Sequence, residues 1–204
     1  MLTVCRNNQM KFKYVLTDSW FANAENMKYI KKALKKDFVM GMKTNRLVSL
    51  SLEDKINGQY QRVDSLELKE ATKVYIESLE FPVLIAKKVL QDQNGKDVDV
   101  YLVSSDLTFD TDGMFKIYLK RWKIEEFFKS MKSNCSYSKS PTHTVRTQSN
   151  HLFCSIFAVF KFEMMRLNTN LNHFSLKSKI YLSSIKKAMA ELKLFRQLDN
   201  FYYA

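Results

Sequence analysis

The chain has 204 residues, of which 46% are hydrophobic and 13% aromatic; that is enough for one domain, with or without an insertion, to bury a packed core, and it excludes a disordered chain. Thirty-three basic residues against 21 acidic ones leave a net charge of +12, which favours a polyanionic partner, nucleic acid first. Cys5, Cys135 and Cys154 show no C-x-x-C spacing, and no secretory signal or apolar stretch longer than Leu152 to Phe160 occurs, so the pattern suggests a cytoplasmic protein with no disulfide framework, zinc site or membrane span.

Residues 1 to 9 read as a helical remnant. A strand is predicted at 12 to 17, where the run Tyr14 to Phe21, YVLTDSWF, takes an apolar stretch into Asp18. An Asp at this place is either a turn or N-cap residue or a carboxylate presented at a strand end. A helix follows at 22 to 36, then a strand in FVMGM, with Lys43, Asn45 and Arg46 just beyond it. Those three residues form either a polar turn or contacts to a nucleic-acid backbone.

From 47 to 106 the pattern is β-like, through LVSLSLEDK, YQRVDSLEL and TKVYIESL to a hairpin turning at Asn94-Gly95 between VLIAKKVL and DVDVYLV. Such a block is either an insertion within a larger fold or a small β domain of its own. Asp110, Thr111 or Asp112 then caps a helix predicted over 113 to 133.

That helix carries the most informative pattern. Tyr118, Arg121, Glu125 and Lys132, in YLKRWKIEEFFKSMK, stand at offsets that place them within about 60° of one another on an α-helix. Ile117, Ile124, Phe128 and Met131 occupy the adjoining sector, which puts the stripe at the edge of a buried face. Arg121 and Glu125 are also spaced for an ordinary i,i+4 ion pair. A polar connection containing Pro141 leads to a second helix from Arg146 to Leu167, whose Leu152, Phe153, Ile156, Phe157 and Phe160 are expected in the core, packed on a sheet. The tail from 175 to 199 spaces Leu176, Ile180, Ile185, Met189, Leu192 and Phe195 as a basic amphipathic helix. It suits docking on the rest of the chain, a second subunit, DNA or, least well, a membrane.

The stripe resembles the Y-x-x-R-x-x-x-E-x-x-x-x-x-x-K signature of bacterial DDE transposases of the insertion-sequence-four family. The flanking RW and IEEFF resemble that family too, as does YVLTDSWF as the place of its second catalytic aspartate, and the resemblance covers most of residues 10 to 165. It implies an α/β, RNase H-like catalytic fold with a β-rich insertion before the helix carrying the catalytic glutamate. Asp18 and Glu125 are then the catalytic carboxylates, ligating Mg²⁺ or Mn²⁺, hard cations that prefer carboxylate oxygens. Tyr118, Arg121 and Lys132 contact DNA phosphates, with Lys43, Asn45 and Arg46 beside them. The implied partner is double-stranded DNA at transposon ends, with the chain acting as a homodimer.

A third carboxylate is expected on the first strand of that fold, roughly 45 residues before the strand that delivers Asp18. Only seventeen residues precede Asp18, and none is acidic. The expectation is therefore an N-terminally truncated catalytic region, inactive alone. Its segments are 1–46 as the remaining core with Asp18, 47–106 as the insertion, 107–170 as the core helices with the signature, and 171–204 as the basic helix. The alternative is a non-catalytic DNA-binding protein, or a regulator forming mixed dimers with a full-length transposase.

Overall fold

A computed structural model of the chain describes residues 1–91 and 94–202, with side chains through residue 195. The chain forms two compact units, 1–123 and 124–204.

The first unit begins with α1 (Leu2–Asn7), followed by β1 (Tyr14–Thr17), α2 (Ala24–Lys28) and a π-helical turn at Tyr29–Ala33 that continues α2. The Asn23 side chain caps α2 by accepting the Asn26 N–H at 2.8 Å. β2 (Asp37–Met42) runs parallel to β1, Tyr14 opposite Asp37 and Thr17 opposite Met40. In the segment predicted to be β-like, regular strand is sparser than expected. β3 (Leu47–Val48) and β4 (Gln61–Arg62) form a two-residue ladder, and LEDKI between them is helical, as α3 (Leu52–Ile56). The reason is a capping box: Ser51 Oγ accepts the Asp54 N–H and the Asp54 carboxylate accepts the Ser51 N–H.

β5 (Thr72–Val74), β6 (Val83–Gln91) and β7 (Asp97–Ser104) complete the main sheet, in the order β1-β2-β7-β6-β5. β6 and β7 form the hairpin expected from the sequence, Gln91 opposite Asp97, with Gly95 at φ 75°; Asp92 and Gln93 lie outside the described residues. Because β7 pairs antiparallel with β2, Val39 opposite Ser104, the β-rich block joins the main sheet, apart from the short β3–β4 ladder. Its long strands widen the sheet that carries β1.

Alternation along β2 sends Phe38, Met40 and Met42 to one face, where Met27 and Ile30 cover them together with Val63, Ile76 and Leu79. Val39 faces the other way and joins Leu84, Ala86 and Leu102 beneath Met114 and Phe115 of α4 (Thr111–Tyr118). Asp110 caps α4 by accepting the Gly113 N–H at 3.0 Å. A 3₁₀ turn at Leu119–Trp122 follows. This corrects the single α-helix expected over 113–133: α4 stops at Tyr118, and α5 (Lys123–Asn134) starts after the 3₁₀ turn. Angular positions reckoned at 100° per residue therefore do not carry across residues 119 to 122.

The second unit comprises most of α5, then α6 (Val145–Thr169) and α7 (His173–Tyr202). Asn170 ends α6 in the left-handed conformation, φ 54°. Glu163 of α6 receives both Arg166 Nε at 2.7 Å and His173 of α7 at 2.5 Å, which fixes the corner between the two helices. The expected packing of α6 is corrected here. Leu152, Phe153, Ile156, Phe157 and Phe160 are all exposed, and the buried side chains of α6 are Ser155 and Val159. Apolar residues lie all around this helix, more than its neighbours within the unit cover. Among the described residues no helix is long and apolar enough to cross a membrane.

Candidate active site

β1 and β2 are parallel, so their C-terminal ends emerge on the same edge of the sheet, a common place for ligand chemistry in α/β proteins. Asp18 directly follows β1, and Lys43 directly follows β2. The Asp18 carboxylate accepts the Trp20 N–H through Oδ1 at 3.0 Å, closing an Asx turn, and its carbonyl receives the Phe21 N–H at 3.3 Å. Asp18 is thus a turn residue, while the cap of α2 is Asn23. A carboxylate has about four lone-pair sites, and a single hydrogen bond to one oxygen leaves most of that capacity available to a cation.

Lys43, Asn45 and Arg46 come to the same end of the sheet. Together with Ser19, Trp20 and Asn23 they line a cleft of about 490 Å³. Lys43 Nζ stands 5.2 Å from the centre of the Trp20 ring, a cation–π distance. Arg46 is half-buried and donates to the Ala22 carbonyl at 2.7 Å, which ties the β2–β3 loop to the segment after Asp18. Arg46 therefore braces the cleft, while Lys43 and Asn45 are exposed on its rim together with Asn23, Ser78 and one acid, Glu77.

The Tyr118 hydroxyl and the Asp18 turn both border the space left by Gly41. Gly41 belongs to the face of β2 that α4 covers, and a Cβ built there would lie 3.1 Å from the Tyr118 hydroxyl, 3.1 Å from the Ser19 nitrogen and 3.5 Å from the Asp18 carbonyl carbon. A Cβ here is tighter than ordinary contact, so a larger residue needs the tyrosine or the Ser19 backbone to give by a few tenths of an ångström. The 3₁₀ turn after Tyr118 packs on β1, and the Arg121 guanidinium lies 5.5 Å from the Tyr118 ring centre and 5.6 Å from that of Trp122. Six predicted residues, Asp18, Lys43, Asn45, Arg46, Tyr118 and Arg121, thus belong to one unit.

Glu125 and Lys132 belong to the second unit. Glu125 is exposed in the first turn of α5, beside Glu126, where the helix dipole favours a carboxylate. Lys132, also exposed, is seven residues later, within about 20° of Glu125 around the helix. Among the described residues no group of three or more His, Cys, Asp or Glu side chains is arranged to hold a metal ion.

Two features were not read from the sequence. Gly41 is one, since its role depends on which element crosses β2. The other is a polar network at the opposite ends of the strands, where Asp37 accepts Lys31 Nζ at 2.5 Å and the Ser105 hydroxyl at 2.7 Å, and Asp106 accepts the Tyr14 hydroxyl at 2.8 Å. Hydrogen bonds from Thr108, and then from Tyr14, hold the Asp106 carboxyl below the usual carboxylate range against the opposing effect of its burial.

No curated protein matches the chain. The family model described as the transposase DDE domain matches residues 1–160, well over half of the chain, a range that includes Asp18 and residues 118 to 132. The chain belongs to the transposase DDE-domain family.

Proposed function

We propose that this chain forms part of the strand-cleaving and strand-transferring centre of an insertion-sequence transposase of the insertion-sequence-four type, with an RNase H-like core. The observation that carries this reading is the convergence of the Asp18 turn and the Tyr118 hydroxyl on the space left by Gly41, beside a cleft lined by Lys43, Asn45 and Arg46. Asp18 and Glu125 serve as carboxylate ligands for Mg²⁺ or Mn²⁺. Magnesium keeps several waters and is often bound by one or two carboxylates together with substrate phosphates, so a sparse set of hard oxygen donors suits a metal shared with DNA. When bound, such an ion stabilises the attacking and leaving oxygens of an in-line displacement at phosphorus.

The other residues hold the duplex. Arg121 and Lys132 neutralise phosphates of the transposon end, Tyr118 donates a hydrogen bond to one, and Lys43 and Asn45 contact the neighbouring backbone while Arg46 braces their loop. Transfer by this type of chemistry joins two ends, which suits action as a homodimer.

Two carboxylates are fewer than the family's chemistry uses. Among the described residues β1 pairs on one edge only, with β2. A strand paired along its other edge would set a third carboxylate next to Asp18, supplied by a further segment or by another polypeptide. Until it is supplied, residues 1–204 are inactive. The second reading, a non-catalytic DNA-binding regulator that forms mixed dimers with a complete transposase, is favoured by the absence of a three-carboxylate group among the described residues.

The test is cleavage of a transposon-end duplex with Mn²⁺, by the chain alone and mixed with a complete transposase. The active-centre reading expects no cleavage alone, and cleavage in the mixture that falls when the added chain carries Asp18→Ala or Glu125→Ala. Inhibition of the mixture that is indifferent to both substitutions would establish the regulator instead.

A further inference from the structure

The opposite ends of β1 and β2 carry a second basic site. Lys13 precedes β1 and Lys36 precedes β2, and the Asp37 N–H donates to the Lys13 carbonyl at 3.2 Å, so these segments are neighbours. With Arg6 of α1, Lys11 and Lys35 they surround an open basin of about 570 Å³. None of these five cations forms an ion pair among the described residues. The basin's acid, Asp37, is already engaged by Lys31 and the Ser105 hydroxyl. Five cations around one basin make a positive surface that attracts a polyanion.

The backbone at Lys35 does not itself call for a lysine. Lys35 follows the π-helical turn at φ 52°, a conformation that favours glycine. Its neighbours are held around it, the Leu34 N–H on the Tyr29 carbonyl at 3.0 Å and the Lys36 N–H on the Ile30 carbonyl at 3.1 Å. A glycine would satisfy this turn with less strain. Gln9, at φ 53°, ends α1 on the facing wall in the same way.

We propose that this basin is a second phosphate-binding surface that takes the sugar–phosphate backbone of DNA. It is separated from the Asp18 cleft by the length of β1, about 13 Å at the usual strand rise. The cations come from three chain segments around an open rim and do not converge on one buried point, which suits successive phosphates of a backbone better than a single small anion. The inference goes beyond the reading above, which concerns the other ends of the strands, and it stands whether or not Asp18 holds a metal.

The test is binding of the full chain to a labelled duplex of arbitrary sequence, titrated against NaCl in EDTA so that metal ligation plays no part. Each phosphate contact contributes about 0.9 to the slope of log affinity against log salt. Lys11→Ala/Lys13→Ala/Lys35→Ala should therefore flatten the slope by up to about 2.7, whereas Lys28→Ala/Lys69→Ala/Lys73→Ala, which removes equal charge elsewhere, should change it far less. The triple arginine variant of the basin should bind like the parent. Lys35→Gly separates binding from folding, because its melting temperature should be no lower than the parent's while its affinity falls. Equal slopes for the two alanine triples, or unchanged affinity in Lys35→Gly, would overturn the proposal. Displacement of DNA by sodium phosphate well beyond that by chloride at equal ionic strength would overturn it in favour of a small-phosphate pocket. Loss of binding to phosphatidylserine vesicles, and not to DNA, in the basin triple would overturn it in favour of a membrane surface.

Discussion

Residues 1–123 bury apolar side chains on both faces of one sheet, whereas α6 and the described part of α7 leave nearly all of theirs in contact with solvent. Both regions are rich in phenylalanine, leucine and methionine, so composition does not separate them. Partner surface does. In the first unit a strand alternates its side chains between α2 on one face and α4 on the other. In the second, helices of 25 and 30 residues meet mainly at their shared corner. A helical apolar period shows that a face is suited to contact, and says nothing about what supplies the other side.

The largest expected effect sharpens that contrast. Phe38→Ala, at a side chain with no exposure, should lower unfolding free energy by about 3–5 kcal/mol. Phe153→Ala, at 69% exposure, should change it by less than about 0.5 kcal/mol and instead reduce concentration-dependent self-association in sedimentation. Urea titrations compare the two, and equal losses would erase the distinction between the units.

Gly41→Ala is next. Its added methyl meets both the Ser19 backbone and the Tyr118 hydroxyl, and should cost about 1–3 kcal/mol. Adding Tyr118→Phe removes one of those two contacts, so the double variant should recover part of the loss, as a double-mutant cycle in denaturant would show. Ser51→Ala should cost about 1 kcal/mol through loss of the α3 cap, and a strict β reading of LSLEDK predicts no such loss.

The smallest effect is on pH dependence, and each unit has a carboxylate to compare. Asp106 in the first unit and Glu163 in the second both sit below the ordinary carboxylate range, Asp106 chiefly through the Thr108 hydrogen bond and Glu163 chiefly through Arg166. A depressed folded pKa contributes stability that is present above the unfolded pKa, near 4, and is lost as pH falls through the folded value. Asp106→Asn and Glu163→Gln should each flatten the decline in melting temperature below about pH 4 and leave its slope near neutrality unchanged.

Much of the first unit was legible in the sequence because its signals are local. The strand running into Asp18, the FVMGM strand and the Asn94-Gly95 hairpin depend on alternation and turn chemistry within a few residues. The short α3 was also signalled, by Ser51 and Asp54 at capping-box spacing, but the surrounding β-rich pattern masked it. What periodicity did not reveal was the 3₁₀ turn at Leu119–Trp122, because the residues on either side of it, Tyr118 and Lys123, keep helical φ and ψ and the apolar rhythm is unbroken. Gly41 was unreadable for a different reason: its neighbours are 22 residues upstream and 77 downstream, and only the fold brings Ser19 and Tyr118 to it. The solvent contact of Phe153 and Phe157 was unreadable too, since it depends on how much surface neighbouring helices supply.

The proposed function makes Asp18 and Glu125 metal-ligating carboxylates. Calorimetric titration of the purified chain with Mn²⁺ tests it most directly, wild type against Asp18→Ala and Glu125→Ala. Weak binding in the wild type, lost in both variants, is the expected result. Binding that survives either substitution, or no binding in the wild type, would contradict it and leave DNA binding without a metal centre as the better description of this chain.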